Sequence, residues 1–229
     1  MIPRANITAW RTIAPWPSNE QVEQDLVLSR ALVALFSHKA VADQVVFRGG
    51  TALHKLFFGA AGRYSEDIDL VQRDAGPIGE LISAIREALD SWLGSPRWQQ
   101  GQGRFTLHWF SGTAELAVYH LDELLGTKLR ALYQRKKGRD LYDLWLALGT
   151  GDPRGDRIIE CFQRYMAHDG AVVSRAKFEA NLAAKLHSPR TGRVGRARRG
   201  LSPFDQKPTT IGSPTGLLTF CLENHSDFA

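Results

Sequence analysis

The sequence predicts an α+β chain, with a small mixed sheet in its first half and helices alone in most of its second. Three observations carry this. A β-branched and aromatic run, Val45 to Phe47, stops at Gly49-Gly50 and gives way to a helix-like stretch. Shortly after it, Asp67-Ile68-Asp69-Leu70-Val71 alternates acidic and apolar residues at the two-residue period of a strand. From Leu121 to His187 the apolar residues recur at three and four, helix after helix.

Taken in order, Ser18 followed by Gln21 has the form of a capping box. Val22, Leu26, Leu32, Leu35 and Phe36 then continue a helical pattern, so a helix is predicted over 19–39. Val45 to Phe47 reads as a strand, the glycine pair as a tight turn, and Thr51 as the cap of a short helix bearing Leu53, Leu56 and Phe57. Residues 59–63 read as a loop and 67–71 as a strand whose two aspartates face the same way. Ile78, Leu81, Ile82, Ile85, Leu89 and Trp92 form the clearest amphipathic helix, which Gly94 and Pro96 end. Strand candidates at 105–110 and 114–119 flank a Ser-Gly turn and read as a hairpin. Helices are predicted over 121–135, 140–148, 157–166 and 174–187. In the helix over 140–148, Leu141, Leu144, Trp145 and Leu148 read as the core-facing side. Past Pro189 periodicity gives way to Arg, Gly, Ser, Thr and Pro, and only Leu217 to Leu222 suggests an element. The organisation expected is therefore a core over 1–120, a helical domain over 121–187, and a basic, largely unstructured tail over 188–229.

Composition excludes several classes. Hydrophobic residues at 43% and charged residues at 23% describe an ordinary folding chain rather than a disordered one. Apolar runs are broken by Ser, His or Lys before a bilayer could be crossed, and MIPRANITAW lacks the pattern of a secretory signal, so the expected location is cytoplasmic. Cys161 and Cys221 have no partners at metal-ligand spacing and read as reduced spectators. The net charge of +5 is mild, yet Arg190, Arg193, Arg196, Arg198 and Arg199 are bunched together, which suits a polyanionic partner.

The chemistry is concentrated in FRGGTALHKLFFGAAGRYSEDIDL, residues 47–70. Gly49 and Gly50 let the chain turn tightly and turn backbone N–H groups toward a phosphate, aided by the positive end of the helix that follows. The Thr51 hydroxyl can add a donor. Asp67 and Asp69 offer a hard, oxygen-only site suited to Mg²⁺, which binds through a few carboxylates and substrate phosphate oxygens. Such a site neutralises a triphosphate and assists in-line displacement of pyrophosphate, the chemistry of nucleotidyl transfer. Each piece has an ordinary alternative, a plain turn or a solvated strand face; their order is what adds weight.

A second constellation lies downstream. Lys128 falls within the apolar stripe of Leu121, Leu124, Leu125, Leu129 and Leu132. A lysine there needs a counter-charge or a route to water, and either snorkelling or a phosphate contact meets that need. KKGRDLYDLW places Asp140 and Asp143 one turn apart; Asp140 reads either as a helix N-terminal carboxylate or as a site residue, with Asp143 the alternative. Lys137 and Arg139 could contact phosphate or simply form a charged turn.

The order strand, glycine turn, helix, strand with paired aspartates resembles the polymerase-β-like nucleotidyltransferase superfamily. The strings FRGGTALHKL, RYSEDIDL, ELLGTKLRALYQRKKGRDLYDLW and RAKFEANLAAKL resemble, more closely, the AbiEii/AbiGii-type toxin nucleotidyltransferases, which include the MenT-like enzymes, over roughly residues 20–187. That resemblance implies a polymerase-β-like core with a helical C-terminal domain. It implies Gly49, Gly50 and Thr51 as a phosphate cradle, and Asp67 and Asp69 as ligands of Mg²⁺ or Mn²⁺. Lys128 would sit on the triphosphate, Asp140 in the active site, and Ser65 at a serine phosphorylated in some members, although Ser65 reads at least as well as a polar residue at the entry to a strand. NTP as substrate, an RNA acceptor that is tRNA in the family, and a cognate antitoxin follow from it as well. The chain departs from the pattern twice. A segment carrying sheet strands and a third carboxylate is missing near residues 107–108, leaving Glu115 as the nearby substitute and the sheet incomplete, and the text after His187 diverges. A catalytically degenerate chain that only binds antitoxin or RNA is the alternative these departures raise.

Overall fold

The computed structural model describes residues 2–93 and 111–186, together with the backbone of 215–221. Two compact units divide the described residues: 2–60, 64–93, 111–118 and 215–221 belong to the first, and 61–63 with 119–186 to the second.

The first unit opens with α1 (Arg4–Trp10), a short helix with none of the capping signals that mark longer ones. The capping box then starts α2 (Asn19–Ser37) as its sequence predicts: Ser18 Oγ accepts from Gln21 N–H and the Gln21 side chain accepts from Ser18 N–H. A single turn, α3 (Lys39–Ala42), leads into β1 (Val45–Arg48). The glycine pair does not form a loop. Gly49 and Gly50 are the first residues of α4 (Gly49–Ala52), which passes directly into a π-helical turn, Leu53–Phe58. Arg48 occupies the N-cap position, so Thr51 lies inside the helix rather than capping it.

Strand β2 (Asp69–Gln72) pairs antiparallel with β1, Arg48 opposite Asp69 and Val45 opposite Gln72. It begins at Asp69, so Asp67 precedes the strand. The long amphipathic helix is α5 (Gly79–Leu93), which buries Leu81, Ala84 and Ala88. Strand β3 (Ser111–Ala117) runs through Ser111 and Gly112, where the sequence predicts the hairpin turn. It pairs along its whole length with β4 (Thr215–Cys221), and a parallel bridge from Val118 to Phe47 connects its end to β1. Among the described residues the strands thus form two antiparallel pairs, β1–β2 and β3–β4, linked by that parallel bridge; the candidate strand at 105–110 lies outside the described residues. Val22, Leu26, Leu32, Phe47, Leu53 and Leu116 are fully buried in this unit, with the Phe36 and Phe47 rings 6.4 Å apart.

The second unit is helical: α6 (Leu121–Gln134), α7 (Gly138–Thr150), α8 (Gly155–His168) and α9 (Arg175–Leu186). Helices α6 and α8 meet at Gly126, where a Cβ would lie 2.6 Å from the Cys161 side chain, so only glycine permits that approach. Phe162, Met166 and Val173 form its core with Tyr133 and Phe178, whose rings stack 5.9 Å apart. From α9, Lys185 donates to the Leu132 and Tyr133 carbonyls, capping the end of α6 with a positive charge. Among the described residues no helix is long and apolar enough to cross a membrane.

Candidate active site

In the first unit the chain brings the predicted residues 49–51, 65, 67 and 69 together. Gly49 has φ +84°, a conformation that side-chain-bearing residues rarely adopt, and a Cβ there would lie 1.9 Å from Asp69 Oδ2. The Asp69 carboxylate therefore rests on the bare face of the glycine. Strand register explains the contact, because Asp69 pairs with Arg48, the residue just before the turn. Thr51 is buried and its hydroxyl donates to the Asp67 carbonyl oxygen at 2.5 Å, fixing the approach of the acidic segment to the helix start. That hydroxyl proton is thus committed to backbone. Ser65, also buried, places Oγ 3.4 Å from Asp67 Oδ1. Asp67 and Asp69 are both exposed to solvent.

Two accessible carboxylates beside a glycine helix start fit a magnesium ion that takes its other oxygens from phosphate and water. The donor set is limited to that pair: no group of three or more His, Cys, Asp or Glu able to hold a metal occurs among the described residues. Glu115, exposed on β3, does not complete one.

In the second unit Lys128 is buried at 7% exposure and does not snorkel to water. Its Nζ lies 2.8 Å from Asp143 Oδ2 and 3.7 Å from Asp140 Oδ1. Arg63 grips Asp143 with two nitrogens at 2.8 and 3.0 Å, and Arg135 grips Asp140 likewise at 2.8 and 2.9 Å. Asp140 is wholly buried and does not cap its helix; α7 starts at Gly138 with no side-chain cap. Among these five side chains the cations outnumber the carboxylates by one, and every carboxylate has a forked guanidinium partner. Sequence reading missed Arg63 and Arg135. Nothing in the local pattern distinguishes them from surface arginines, since their partners lie 80 and 5 residues away.

Another cluster that the sequence does not advertise lies behind the glycine turn. Asp25, 1% exposed in α2, accepts from Trp10 Nε1 at 2.8 Å, Trp16 Nε1 at 3.1 Å and Lys55 Nζ at 2.5 Å, with His54 Nε2 at 3.5 Å. Burial alone would raise its carboxyl, but the His54 hydrogen bond and the Lys55 charge prevail and hold it well below the usual carboxylate range. Burial pushes the Lys55 ammonium down from its ordinary value.

The family model described as "Nucleotidyl transferase AbiEii toxin, Type IV TA system" matches residues 30–108 and 104–209. The two stretches meet at the junction where the sequence predicts a missing segment. The second runs past His187, so the arginine-rich text to residue 209 lies within the family match rather than outside it. Among solved structures the chain is similar to MenT4, a nucleotidyltransferase toxin from Mycobacterium tuberculosis H37Rv. The identity is 15% and the TM-score 0.52, covering 83% of this chain and 92% of that one, a likeness of fold. No curated protein matches the chain. With the glycine helix start, its acidic neighbours and a family match over most of the length, the chain belongs to the AbiEii nucleotidyl transferase toxin family.

Proposed function

We propose that this protein transfers nucleotides from an NTP to the 3′ end of an RNA, tRNA being the acceptor that the family resemblance implies. The observation that carries the reading is the Asp69 carboxylate seated on Gly49, which sets an acidic cation site against backbone N–H groups at a helix start. Asp67 and Asp69 hold Mg²⁺ or Mn²⁺, which when bound neutralises triphosphate charge and stabilises departing pyrophosphate. Gly49 and Gly50 direct N–H groups at the phosphates. In the reaction the RNA 3′ oxygen bonds to the α-phosphorus, the bond to the β-phosphate bridging oxygen breaks, and the hydroxyl proton passes to solvent.

The convergence of Lys128, Arg63 and Arg135 on one cluster suits a role toward phosphate, and of Asp140 and Asp143 the latter is the carboxylate closer to that lysine. Asp140, gripped by Arg135, serves the same cluster. A cognate antitoxin partner and a cytoplasmic location belong to the same reading.

A specific observation favours a second reading: the acidic set stops at two among the described residues. On it, the chain keeps antitoxin or RNA binding without catalysis. Incubation with α-labelled NTP, Mg²⁺ and total tRNA separates the two. Label on tRNA that disappears in Asp67→Asn/Asp69→Asn supports transfer. Retained tRNA binding with no label on any acceptor supports the binding module.

A further inference from the structure

The Asp25 cluster does more than fill the core. A carboxylate buried at the centre of a helix is costly unless every lone pair is used, and here four donors converge on it. Two of the donors, His54 and Lys55, are consecutive residues. On an α-helix adjacent side chains diverge and would not share one carboxylate. Here they do so within Leu53–Phe58, a π-helical stretch of a kind frequent at functional sites. Among the described residues, His54 Nδ1 is buried without a hydrogen-bond partner. A segment selected for stability alone would take apolar side chains in a regular helix, since a buried ion pair is seldom better than good packing. Both the π-turn and the orphan nitrogen are costs that go with a required backbone path.

That path leads to the glycine turn. The π-turn follows α4 without a break, so whatever fixes Lys55 and His54 fixes the far end of Gly49–Ala52. The near end is held by the Arg48–Asp69 pairing, and the middle by Thr51 on the Asp67 carbonyl. We infer that Asp25, acting through Lys55 and His54, is a positioning residue that holds the Gly49–Thr51 helix start in its nucleotide-binding conformation. It does not touch the nucleotide. Trp10 and Trp16 complete the clamp from the N-terminal segment, the Trp16 ring lying 4.9 Å from that of His54. The role as stated rests on the proposed nucleotidyl transfer.

The test uses the full chain. Asp25→Asn leaves a buried lysine without its counter-charge and can fail to fold, so Asp25→Asn/Lys55→Met, which removes both charges, is made beside it. Val41→Ala serves as a destabilised control away from the cluster. Two readouts are taken: amide hydrogen exchange over residues 49–58 without nucleotide, and KM and kcat for NTP in the tRNA-labelling reaction. In the double variant, exchange over 49–58 is expected to quicken about tenfold and KM to rise about tenfold with kcat changed far less. A merely destabilised protein loses active fraction and leaves KM where it was, as Val41→Ala should show. Unchanged exchange, or a KM within about twofold of wild type in the folded double variant, overturns the inference. Should wild type bind no nucleotide while exchange still quickens in the variant, the proposed function falls and the tether stands.

Discussion

Gly49 and Asp69 occupy each other's space so closely that the identity of one dictates the other. Adding a methyl group at Gly49 puts carbon within 1.9 Å of the Asp69 carboxylate and forces a residue with φ +84° into a region that costs about 1–3 kcal/mol. Gly49→Ala is therefore expected to lower the melting temperature modestly and to abolish metal-dependent labelling, because the carboxylate must leave the turn. Normal labelling by the alanine variant would show that the contact is incidental. The buried ion cluster makes an asymmetric prediction. Asp143→Asn leaves Lys128 and Arg63 facing a neutral amide, a loss of about 3–5 kcal/mol in the range seen when one partner of a buried pair is removed. Lys128→Met costs less, since Asp143 keeps Arg63 and Asp140 keeps Arg135. Urea unfolding of the two variants checks the order, and equal losses would refute the assignment of Arg63 as the second partner.

Helix α7 shows how those charges set the orientation of a whole element. Its apolar residues predict a core face through Leu141, Leu144, Trp145 and Leu148. Only Leu144 is buried, whereas Leu141, Trp145 and Leu148 are 36%, 54% and 63% exposed. The inward stripe is instead Asp140, Asp143, Leu144 and Ala147, at the same three-and-four spacing, because the two aspartates must reach Lys128 and the arginines. Hydropathy alone could not show this rotation; a buried ion network outweighs it. Leu144→Ala should accordingly cost about 2–5 kcal/mol, while Trp145→Ser, despite its size, should stay within about 0.5 kcal/mol. Thermal unfolding of both decides, and a large loss at Trp145 would place that face against a partner. Elements whose signals are local were legible in sequence: the Ser18–Gln21 box, the strand into the glycine pair, and the amphipathic α5. Those resting on distant partners were not. The β3–β4 ladder joins residues about a hundred positions apart, and Asp25 reads as one polar residue in α2 until Trp10, Trp16 and Lys55 close around it. Family strings singled out Asp69 and Lys128, whereas Arg63, Arg135 and Asp25 stand out only in the geometry.

At the scale of the whole molecule, the chain leaves its first unit after Val118, forms the helices of the second, and supplies β4 to the first. The sequence between α9 and β4 carries Arg190, Arg193, Arg196, Arg198 and Arg199, and the family match runs through them to residue 209. Since the formal charge of the whole chain is only +5, these five arginines equal its entire net positive charge. If RNA is the acceptor, this basic stretch is where phosphates are most readily neutralised, and each one neutralised releases counterions and leaves a signature in the salt dependence. Replacing all five with glutamine keeps β4, which truncation would remove, and isolates the charge. The substituted chain should bind tRNA more weakly at low salt, and its plot of log affinity against log salt should flatten by about 0.7–0.9 for each phosphate that the chain no longer neutralises. The NTP KM should stay unchanged, since the arginines are assigned to the acceptor and not to the nucleotide. Filter binding between low and moderate salt, run beside the labelling assay, provides both numbers. An unchanged salt slope would remove the arginines from RNA recognition, and a raised NTP KM would move them to the nucleotide site.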